Sequence, residues 1–321
     1  MAFSVNKKCK VVVAGSFIVD ITGFAPRFPK DGETVIGSSI KFGPGGKGSN
    51  QATAVSRAGA EVVMITKTGC DVLSGIAHEH YKTEGMTEKY IYKTDKSDTG
   101  SAFIEVNETT GENRIIVVPG ANAHITAAEV EAAEDEIVSC DAVLTQLESN
   151  LETAETLVRL AKKHGKTIIL NPAPPRPVPD GFFEGVDYFT PNETEAEYYS
   201  GVRVENESDA ERAAEVLLAL GVKNVIITMG KKGAFYTDGR TRMLVPTTEQ
   251  KVVDTTGAGD AFNGGLTVAL SEGMDILRAV QFANCTASIK VTRHGASPAM
   301  PYRHEIDALM YEYFGDKGDG K

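Results

Sequence analysis

The sequence predicts an α/β fold in which helices cover both faces of a mostly parallel central sheet. Short β-branched runs alternate with segments of helical periodicity through most of its 321 residues, which is the pattern of βαβ units. Two regions, residues 17–43 and about 88–118, break this alternation because they contain strand-like runs with no helix between them. We expect these strands to form a small β-sheet lid over the mouth of a ligand site.

Each strand of the central sheet is predicted where an apolar, β-branched run is bounded by turn-forming residues. The predicted strands are 10–14, 61–66, 142–146, 167–170, 188–190 and 224–228. Each helix is predicted where apolar residues recur every three or four positions. The predicted helices are 49–59, 74–84, 127–138, 152–164, 208–220 and 261–270. The length suits one large domain or two ordinary ones, and we predict a single α/β domain over residues 1–321.

The charge balance and the cysteines exclude several classes of protein. Lys and Arg number 33 against 44 Asp and Glu, a formal net charge of −11, which argues against a general binder of nucleic acid or anionic membranes. No apolar run approaches the ~18 residues of a membrane span. The four cysteines stand alone, which is typical of reduced thiols rather than of disulfides or zinc sites. We expect a cytoplasmic protein without nucleic-acid or membrane partners.

The richest glycine turn is Gly257, Ala258, Gly259 and Asp260, immediately before a predicted helix. Ligands of open α/β sheets bind at the carboxyl ends of strands, so such turns are the first candidates for a site. Small residues let backbone N–H groups approach an anion, and the positive end of the helix favours it. Asp260 is then either a helix-starting carboxylate or a general base beside a phosphoryl group, and its spacing leaves both interpretations open.

A second glycine turn, at 43–52, formally matches GxGxxG through Gly43, Gly45 and Gly48. A dinucleotide site would require an acidic residue at the end of the next strand, but Glu61 stands at its beginning. The turn is not a Walker loop either, because Lys47 is followed by glycine and the upstream glycine is missing. From the residues alone, a tight structural turn and a ligand loop remain equally open.

A third turn places two oxygen-bearing side chains at the start of a helix. Asn192 and Glu195 lie three residues apart, on one face of a first helical turn, where they could hold a hydrated Mg²⁺. The alternative is an ordinary capped helix N-terminus. A fourth segment, at 228–234, is a strand end with a two-glycine turn, which is common in loops.

The order of these motifs along the chain resembles the ribokinase branch of the phosphofructokinase-B sugar kinases. The three main motifs are GGKGSN at 45–50, NETE at 192–195 and DTTGAGD at 254–260. Four shorter ones support the resemblance: GAN at 120–122, QLE at 146–148, NPAP at 171–174 and VTRHG at 291–295. The resemblance spans residues from about 10 to 309. It implies a ribokinase-like three-layer sandwich and phosphorylation of the 5-hydroxyl of ribose by ATP. We also expect a homodimer formed through the lid, because the outer face of that small sheet has no helical cover.

The resemblance also implies roles for particular residues. In similar enzymes the aspartate of the last motif, here Asp260, takes the proton of the sugar hydroxyl, and the amides of residues 257–259 stabilise charge on the transferred phosphoryl group. The implied sugar site consists of Ile18, Asp20, Gly46, Lys47, Gly48, Asn50 and Glu148. The implied nucleotide site consists of Asn192, Thr228, Gly230, Gly233, Gly259 and Asn284.

Two cations are implied in the same way. Asn192 and Glu195 match the family's motif for placing Mg²⁺ and phosphate, partly through water. The family also binds a monovalent cation, usually K⁺, beside the anion site. The matching positions are the side chain of Asp254 and the carbonyls of Thr256, Lys290, Arg293 and Gly295. Ala299 stands where ribokinases often offer a further hydroxyl.

One departure from the family bears on the sugar. Ribokinases typically read Gly-Ser-x-Asn-x-Asp at the first strand end, and that Asn touches the sugar, whereas this chain has Ile18 there. An apolar side chain cannot hydrogen-bond a sugar hydroxyl, so it tolerates a sugar that lacks this hydroxyl. Deoxyribokinases of the same branch carry an apolar residue at this position. We therefore hypothesise that 2-deoxyribose is accepted or even preferred. The alternative is that Ile18 only packs and the remaining groups still select ribose.

Three other classes of protein share part of this pattern. A nicotinamide-dependent dehydrogenase would rest on residues 43–48 alone and leaves the DTTGAGD turn unexplained. A nucleoside kinase of the same superfamily shares that turn, but the GGKGSN loop and Glu148 favour a free sugar. A non-catalytic sugar sensor would be expected to lose Asp260 or to carry a DNA-binding domain, and the sequence shows neither.

Overall fold

The computed structural model describes residues 8–315, so both ends of the predicted domain, 1–7 and 316–321, lie outside the described residues. The strands are β1 Lys10–Ala14, β2 Ile18–Ala25, β3 Ser39–Gly45, β4 Glu61–Gly69, β5 Ile91–Thr94, β6 Ser101–Asn107, β7 Asn113–Val118, β8 Ala142–Gln146, β9 Thr167–Asn171, β10 Tyr188–Phe189, β11 Asn224–Thr228, β12 Ala234–Thr237 and β13 Arg242–Val245. The α-helices are α1 Lys47–Arg57, α2 Ser74–Thr83, α3 Ala127–Glu131, α4 Glu134–Ser139, α5 Leu151–Lys163, α6 Glu193–Ser200, α7 Glu207–Ala219, α8 Ala258–Ser271, α9 Ile276–Lys290 and α10 Arg303–Phe314.

The larger of two sheets has nine strands in the order β13-β12-β11-β10-β9-β8-β1-β4-β5. All pairs from β11 to β5 are parallel, and β12 and β13 add an antiparallel hairpin at one edge. The strand order reverses at β1, where Val11 is paired with Val62 on one side and with Ala142 on the other. Such a reversal opens a crevice beyond the carboxyl ends of the strands, which is where ligands of these sheets bind.

Helices cover both faces of this sheet because alternate residues of each strand are buried on opposite sides. Val11 and Val13 of β1 belong to the apolar cluster under α1, α2, α8, α9 and α10. Val12 and Ala14 belong to the cluster under α3 to α7. The predicted fold class, a three-layer α/β sandwich with a mostly parallel sheet and a small separate sheet, is confirmed.

The small sheet has four strands in the order β3-β2-β6-β7. Its β2–β6 pair is parallel, and its other two pairs are antiparallel. The predicted lid range of 88–118 needs one correction, because β5 lies inside it and pairs with β4 at the edge of the large sheet. The physical reason is burial: β5 follows α2 as the third element of a βαβ unit, and Ile91 joins the core under that helix.

Other differences are local. The predicted helix at 127–138 is two helices, α3 and α4, since the acidic run at 134–136 starts a new helix N-terminus. The hairpin of β12 and β13 and the helices α9 and α10 were not among the predicted elements. Within the described range, no helix combines the length and the apolarity needed to cross a bilayer.

Candidate active site

A cavity of about 140 Å³ lies at the carboxyl ends of the central strands, beside the start of α8. Its lining residues come from five separate stretches of the chain: Lys47, Asn171, Ala173, Thr190, Asn192, Glu195, Thr228, Thr255, Gly257, Ala258, Gly259, Asp260 and Asn263. Parallel strands end at this same edge, so residues far apart in sequence converge here. The cavity thus brings together residues from all four turns that the sequence analysis identified.

Helix α8 begins at this cavity without a side-chain cap. Its N-cap residue, Gly257, has a φ of +76°, a left-handed conformation that favours glycine. The N–H of Ala258 donates to the carbonyl oxygen of Thr255 at 3.1 Å. Within residues 8–315, the N–H groups of Gly257 and Gly259 make no hydrogen bond. The turn therefore offers free amides and the positive end of the helix dipole to an anion.

Asp260, in the first turn of α8, is buried and hydrogen-bonded at both carboxylate oxygens. Asn50 Nδ2 donates to its Oδ2 at 2.9 Å, and Gln51 Nε2 donates to its Oδ1 at 3.0 Å. Burial raises the pKa of Asp260 above its ordinary value, although the Lys47 ammonium and the two amide donors oppose that shift. The carboxylate is thus fixed in orientation, and its raised pKa makes it a better proton acceptor than an exposed aspartate.

Two residues that help to hold Asp260 in place, Gln51 and Ser297, were not among the predicted site residues. Ser297 Oγ donates to Asn50 Oδ1 at 2.6 Å, which directs the Asn50 amide toward Asp260. Gln51 is held in turn by Gln146, whose Nε2 donates to Gln51 Oε1 at 2.7 Å. The signal that could have found Gln51 is its place directly after Asn50 of the GGKGSN motif, whereas nothing in the sequence around Ser297 indicates its contact.

The start of α1 lies on the other side of Asp260, and its first N–H groups are already hydrogen-bonded to side chains of the protein. The N-cap Gly46 has a φ of +86°, and a Cβ there would lie 2.7 Å from the backbone nitrogen of Ile18. The N–H of Lys47 donates to Glu148 Oε2 at 2.7 Å. Ser16 Oγ donates to the same oxygen at 2.5 Å and accepts from the N–H of Gly48 at 3.3 Å. The predicted sugar residues Gly46, Lys47, Gly48 and Glu148 are therefore adjacent.

Several carboxylates and a single lysine lie near the start of α1. Burial raises the pKa of Asp20 to about 7, with help from the nearby carboxylates of Glu148 and Asp260. Burial alone would lower the pKa of the Lys47 ammonium, but the surrounding carboxylates, led by Asp260, hold it above its ordinary value. One lysine thus faces several acids, and the remaining carboxylates are available to accept hydrogen bonds from hydroxyl groups.

Ile18, the residue at issue for sugar selection, is only 3% exposed and begins β2. A Cβ on Gly46 would lie 3.1 Å from Ile18 Cγ1, so this side chain packs directly beside the start of α1. Its neighbour two residues on, Asp20, belongs to the acidic group described above. The position is therefore both packed and close to the predicted sugar site.

Asn192 and Glu195 form a capping box at the start of α6 and also line the cavity. The N–H of Glu195 donates to Asn192 Oδ1 at 2.8 Å, and the backbone N–H and the side-chain amide of Asn192 donate back to the Glu195 carboxylate at 2.9 and 3.0 Å. Burial raises the pKa of Glu195. The capped helix start that the sequence allowed as an alternative is thus present. Each Glu195 carboxylate oxygen accepts one of these hydrogen bonds and keeps further acceptor capacity, and the residue lines the cavity.

The predicted nucleotide residues are only partly brought together. Thr228 ends β11 and lines the cavity, and Gly230 and Gly233 form the next turn without lining it. Asn284 is buried in α9, and its Nδ2 donates to the carbonyl oxygens of Val245 and Pro246 at 3.1 and 3.2 Å. These hydrogen bonds tie the Asn284 amide to the end of β13 and the residue after it, and Asn284 does not line the cavity.

We call the glycine turn at residues 257–259 the anion turn. The loop before it lies beside the other residues predicted to bind a monovalent cation. Asp254 Oδ1 accepts from the N–H of Thr256 and its Oδ2 from the N–H of Gly295, both at 2.9 Å. Burial would raise the pKa of Asp254, but these amides lower it below its usual value. The N–H of Arg293 donates to the carbonyl of Lys290 at 3.1 Å, and the Arg293 guanidinium pairs with a glutamate of α10.

Ala299, where ribokinases often offer a hydroxyl, is buried. Lys290, predicted to bind the cation through its carbonyl oxygen, also contacts this loop through its side chain. Its Nζ donates to the carbonyl oxygen of Asp254 at 2.8 Å, a contact that the sequence analysis did not anticipate. Burial lowers the pKa of the Lys290 ammonium, and the carboxylates of Asp254 and Asp260 oppose that shift.

A buried aspartate beside an uncapped helix N-terminus, at the carboxyl end of a mostly parallel sheet, is the arrangement expected of a phosphoryl-transfer site. The chain belongs to the pfkB family of carbohydrate kinases, which it matches over residues 8–303. It is 38% identical to the ribokinase of Haemophilus influenzae, over 92% of this chain and 96% of that protein. It is 34% identical to the deoxyribokinase of Salmonella typhi, over 94% and 98%. The solved structure of Arabidopsis thaliana ribokinase complexed with ribose and ATP has a TM-score of 0.86, with 28% identity and coverage of 95% and 99%.

Proposed function

We propose that this carbohydrate kinase transfers the γ-phosphoryl group of ATP to the 5-hydroxyl of ribose, with activity on 2-deoxyribose as well. The observation that carries the proposal is the position of Asp260. Its carboxylate is fixed by Asn50 and Gln51 and lies one residue beyond the free Gly259 amide. The relatives named ribokinase and deoxyribokinase, similar over nearly the full chain, support a pentose as the acceptor.

The proposed reaction uses Asp260 as general base. As the pentose oxygen bonds to the γ-phosphorus, its proton passes to the Asp260 carboxylate, and the bond from that phosphorus to the β,γ-bridging oxygen breaks so that ADP leaves. The Gly257 and Gly259 amides would stabilise negative charge on the phosphoryl oxygens. Lys47 adds a positive charge on the same cavity wall. The carboxylates of Asp20 and Glu148 would accept hydrogen bonds from sugar hydroxyls and so orient the acceptor.

The residues at the start of α6 suit the Mg²⁺ that accompanies a nucleoside triphosphate. Glu195 and Asn192 present oxygen atoms to the cavity, the ligand type that this cation takes, and Mg²⁺ usually keeps several of its waters. Bound there, Mg²⁺ would neutralise phosphate charge. Glu195 would orient those waters through the lone pairs that its capping contacts leave free.

A monovalent cation beside Asp254 also remains part of the proposal. The carboxylate and the carbonyls of Thr256, Lys290, Arg293 and Gly295 are the oxygen donors that K⁺ takes. Each of these oxygens keeps a lone pair beyond the backbone contacts described above. K⁺ bound there would add a fixed positive charge behind the anion turn.

The exposed apolar side chains of the small sheet favour a homodimer formed through the lid. Phe42, Phe103 and Ile116 lie in three different strands of that sheet and are all about half exposed or more. A contiguous apolar surface of this kind usually marks an interface. Sedimentation of the wild type and of a Phe103→Asp, Ile116→Asp variant tests this: we expect a dimer and a monomer, respectively, and two monomers would contradict the proposed interface.

The first experiment is ADP release from Mg-ATP with ribose and with 2-deoxyribose, in parallel. Faster turnover of ribose would establish a ribokinase, and faster turnover of deoxyribose a deoxyribokinase. Turnover of a nucleoside instead would move the chain to another branch of the superfamily. Turnover of none of them would refute the proposed function.

The role of Ile18 is tested in the same assay with Ile18→Asn. An amide at this position would bond a sugar hydroxyl, so we expect the ribose-to-deoxyribose ratio of kcat/KM to rise by about tenfold or more. Ile18→Val is the matched control, because it changes packing without adding a polar group, and it should leave the ratio unchanged. An unchanged ratio in Ile18→Asn would reduce Ile18 to a packing residue.

A further inference from the structure

Lys290, at the end of α9, is fully buried although it carries a charge. Charged side chains are rarely fully buried without a partner, because removing them from water costs free energy that only strong local contacts offset. Among residues 8–315, the Lys290 Nζ has one hydrogen-bond partner, the backbone carbonyl of Asp254 at 2.8 Å, and not a carboxylate. A fully buried lysine placed on a main-chain oxygen suggests a functional reason for the charge.

The position of this ammonium supplies the reason. Asp254 lies three residues before Gly257, so the lysine holds the backbone that leads into the anion turn. The two oxygens of the Asp254 carboxylate are engaged by backbone amides and not by the lysine. Both Asp254 and Asp260 lie close enough to attract the Lys290 ammonium electrostatically. A positive charge therefore lies behind the turn that would receive the phosphoryl group.

We propose that the Lys290 ammonium is a built-in cation of the anion turn. It supplies part of the positive charge that the proposed function assigns to a monovalent cation. The buried Lys290 ammonium and a K⁺ ion held by the same loop would repel each other, so the ammonium weakens the binding of K⁺ at the Asp254 carboxylate and carbonyls. The proposal rests on the proposed function for its catalytic consequence. Its consequence for ion binding does not depend on catalysis.

The test compares wild type with Lys290→Met, which keeps an unbranched side chain of similar volume and removes the charge. Turnover is measured in KCl and in choline chloride at equal ionic strength. For wild type we expect K⁺ to change kcat by about twofold or less. For Lys290→Met we expect kcat without K⁺ to fall by about tenfold or more, the order seen when one charged contact is lost, and K⁺ to restore a large part of it.

A second readout follows the ion without catalysis. Thermal unfolding is monitored by circular dichroism, which suits a chain without tryptophan, in KCl and in choline chloride. A ligand that binds only the folded state raises the unfolding temperature. We expect K⁺ to raise it clearly in Lys290→Met and barely in wild type. Because this readout needs no turnover, it tests Lys290 even if neither pentose is a substrate, and the two proposals fail separately.

Lys67→Met is the matched control. Lys67 is also buried, and its Nζ donates to the carbonyl of His124 at 2.6 Å and pairs with Glu129, away from the cavity. Its loss should cost stability without changing the response to K⁺. Lys290→Arg keeps a cation and should respond to K⁺ as wild type does, which guards against a Met variant that fails to fold. Wild-type activity that collapses without K⁺, or equal K⁺ responses in wild type and Lys290→Met, would overturn the proposal.

Discussion

The two helix starts on either side of Asp260 use the same local design with opposite outcomes. Both α1 and α8 begin after a glycine of positive φ, Gly46 and Gly257, and neither has a side-chain cap from its N-cap residue. At α1 the protein supplies its own anion, because Glu148 accepts from the Lys47 N–H. At α8, no side chain of the described chain caps the first turn, and the Gly257 and Gly259 amides stay free.

The difference shows which end of the site is left for a phosphate. A helix N-terminus that already has a carboxylate is electrostatically satisfied, so it serves to fix residues rather than to bind an anion. The open N-terminus of α8 keeps that capacity for a ligand. Asp260 links the two, because it belongs to α8 and accepts hydrogen bonds from Asn50 and Gln51 of α1.

The largest effect is expected where the two helices meet. Asp260→Asn removes the proposed base while keeping the shape of the side chain, and we expect kcat to fall by about 10²–10⁴-fold. The fold should be retained, since the variant also removes a buried carboxylate. ADP release measures the turnover, and circular dichroism checks the fold. Near-normal turnover by a folded variant would exclude Asp260 as the base.

The next effect concerns the open helix start. Gly257→Ala forces a Cβ into a left-handed conformation and shifts an amide of the anion turn, so we expect kcat to fall by about 10²-fold. Gly273→Ala is the matched control, because that glycine follows α8 with a φ of +80° and has open space around its Cβ position. The two variants should lose similar stability, and only the first should lose turnover. Equal turnover in both would remove the anion turn from the mechanism.

A smaller effect is expected at the closed helix start. Glu148→Gln replaces a charge-assisted contact to the Lys47 N–H by a neutral one, and it weakens the acceptor for sugar hydroxyls. We expect the KM for the pentose to rise by about tenfold and the KM for ATP to stay the same. Steady-state kinetics with each substrate varied in turn separate the two values. An increase confined to the KM for ATP would contradict the division between the two helix starts.

The smallest effect is a dependence of stability on pH that arises from Asp20. Its pKa is about 7 in the folded protein against an ordinary value of 3.8. At a pH between these two pKa values, Asp20 is more protonated in the folded state than in the unfolded state. The free energy of unfolding therefore falls as the pH rises from about 4 to about 7. Asp20→Asn lacks this loss. Its unfolding temperature relative to wild type should therefore increase by a few degrees, ~2–4 °C per kcal/mol, between pH 5 and pH 8. A constant difference would show that Asp20 titrates normally.

Much of the fold and the location of the site follow from local sequence patterns. Strands β1, β8 and β11 have the predicted bounds, because β-branched runs ended by turn residues specify their own extent. Glycine turns at strand ends predict where ligands bind without any knowledge of packing. They led to Gly257 and Asp260, and the motif order led to the family, which the comparisons confirm.

Only the tertiary structure decided the partners of those residues. Asn50 and Gln51 reach Asp260 across about 210 positions, and Ser297 reaches Asn50 across 247, because α1, α8 and the segment before α10 pack together. The edge position of β5 likewise depends on which strand it pairs with. Lys290 was expected to contribute a carbonyl, and its ammonium contact to Asp254 emerged only from the packing of α9. Periodicity and turn chemistry are local properties, whereas these hydrogen bonds depend on which faces of distant helices meet.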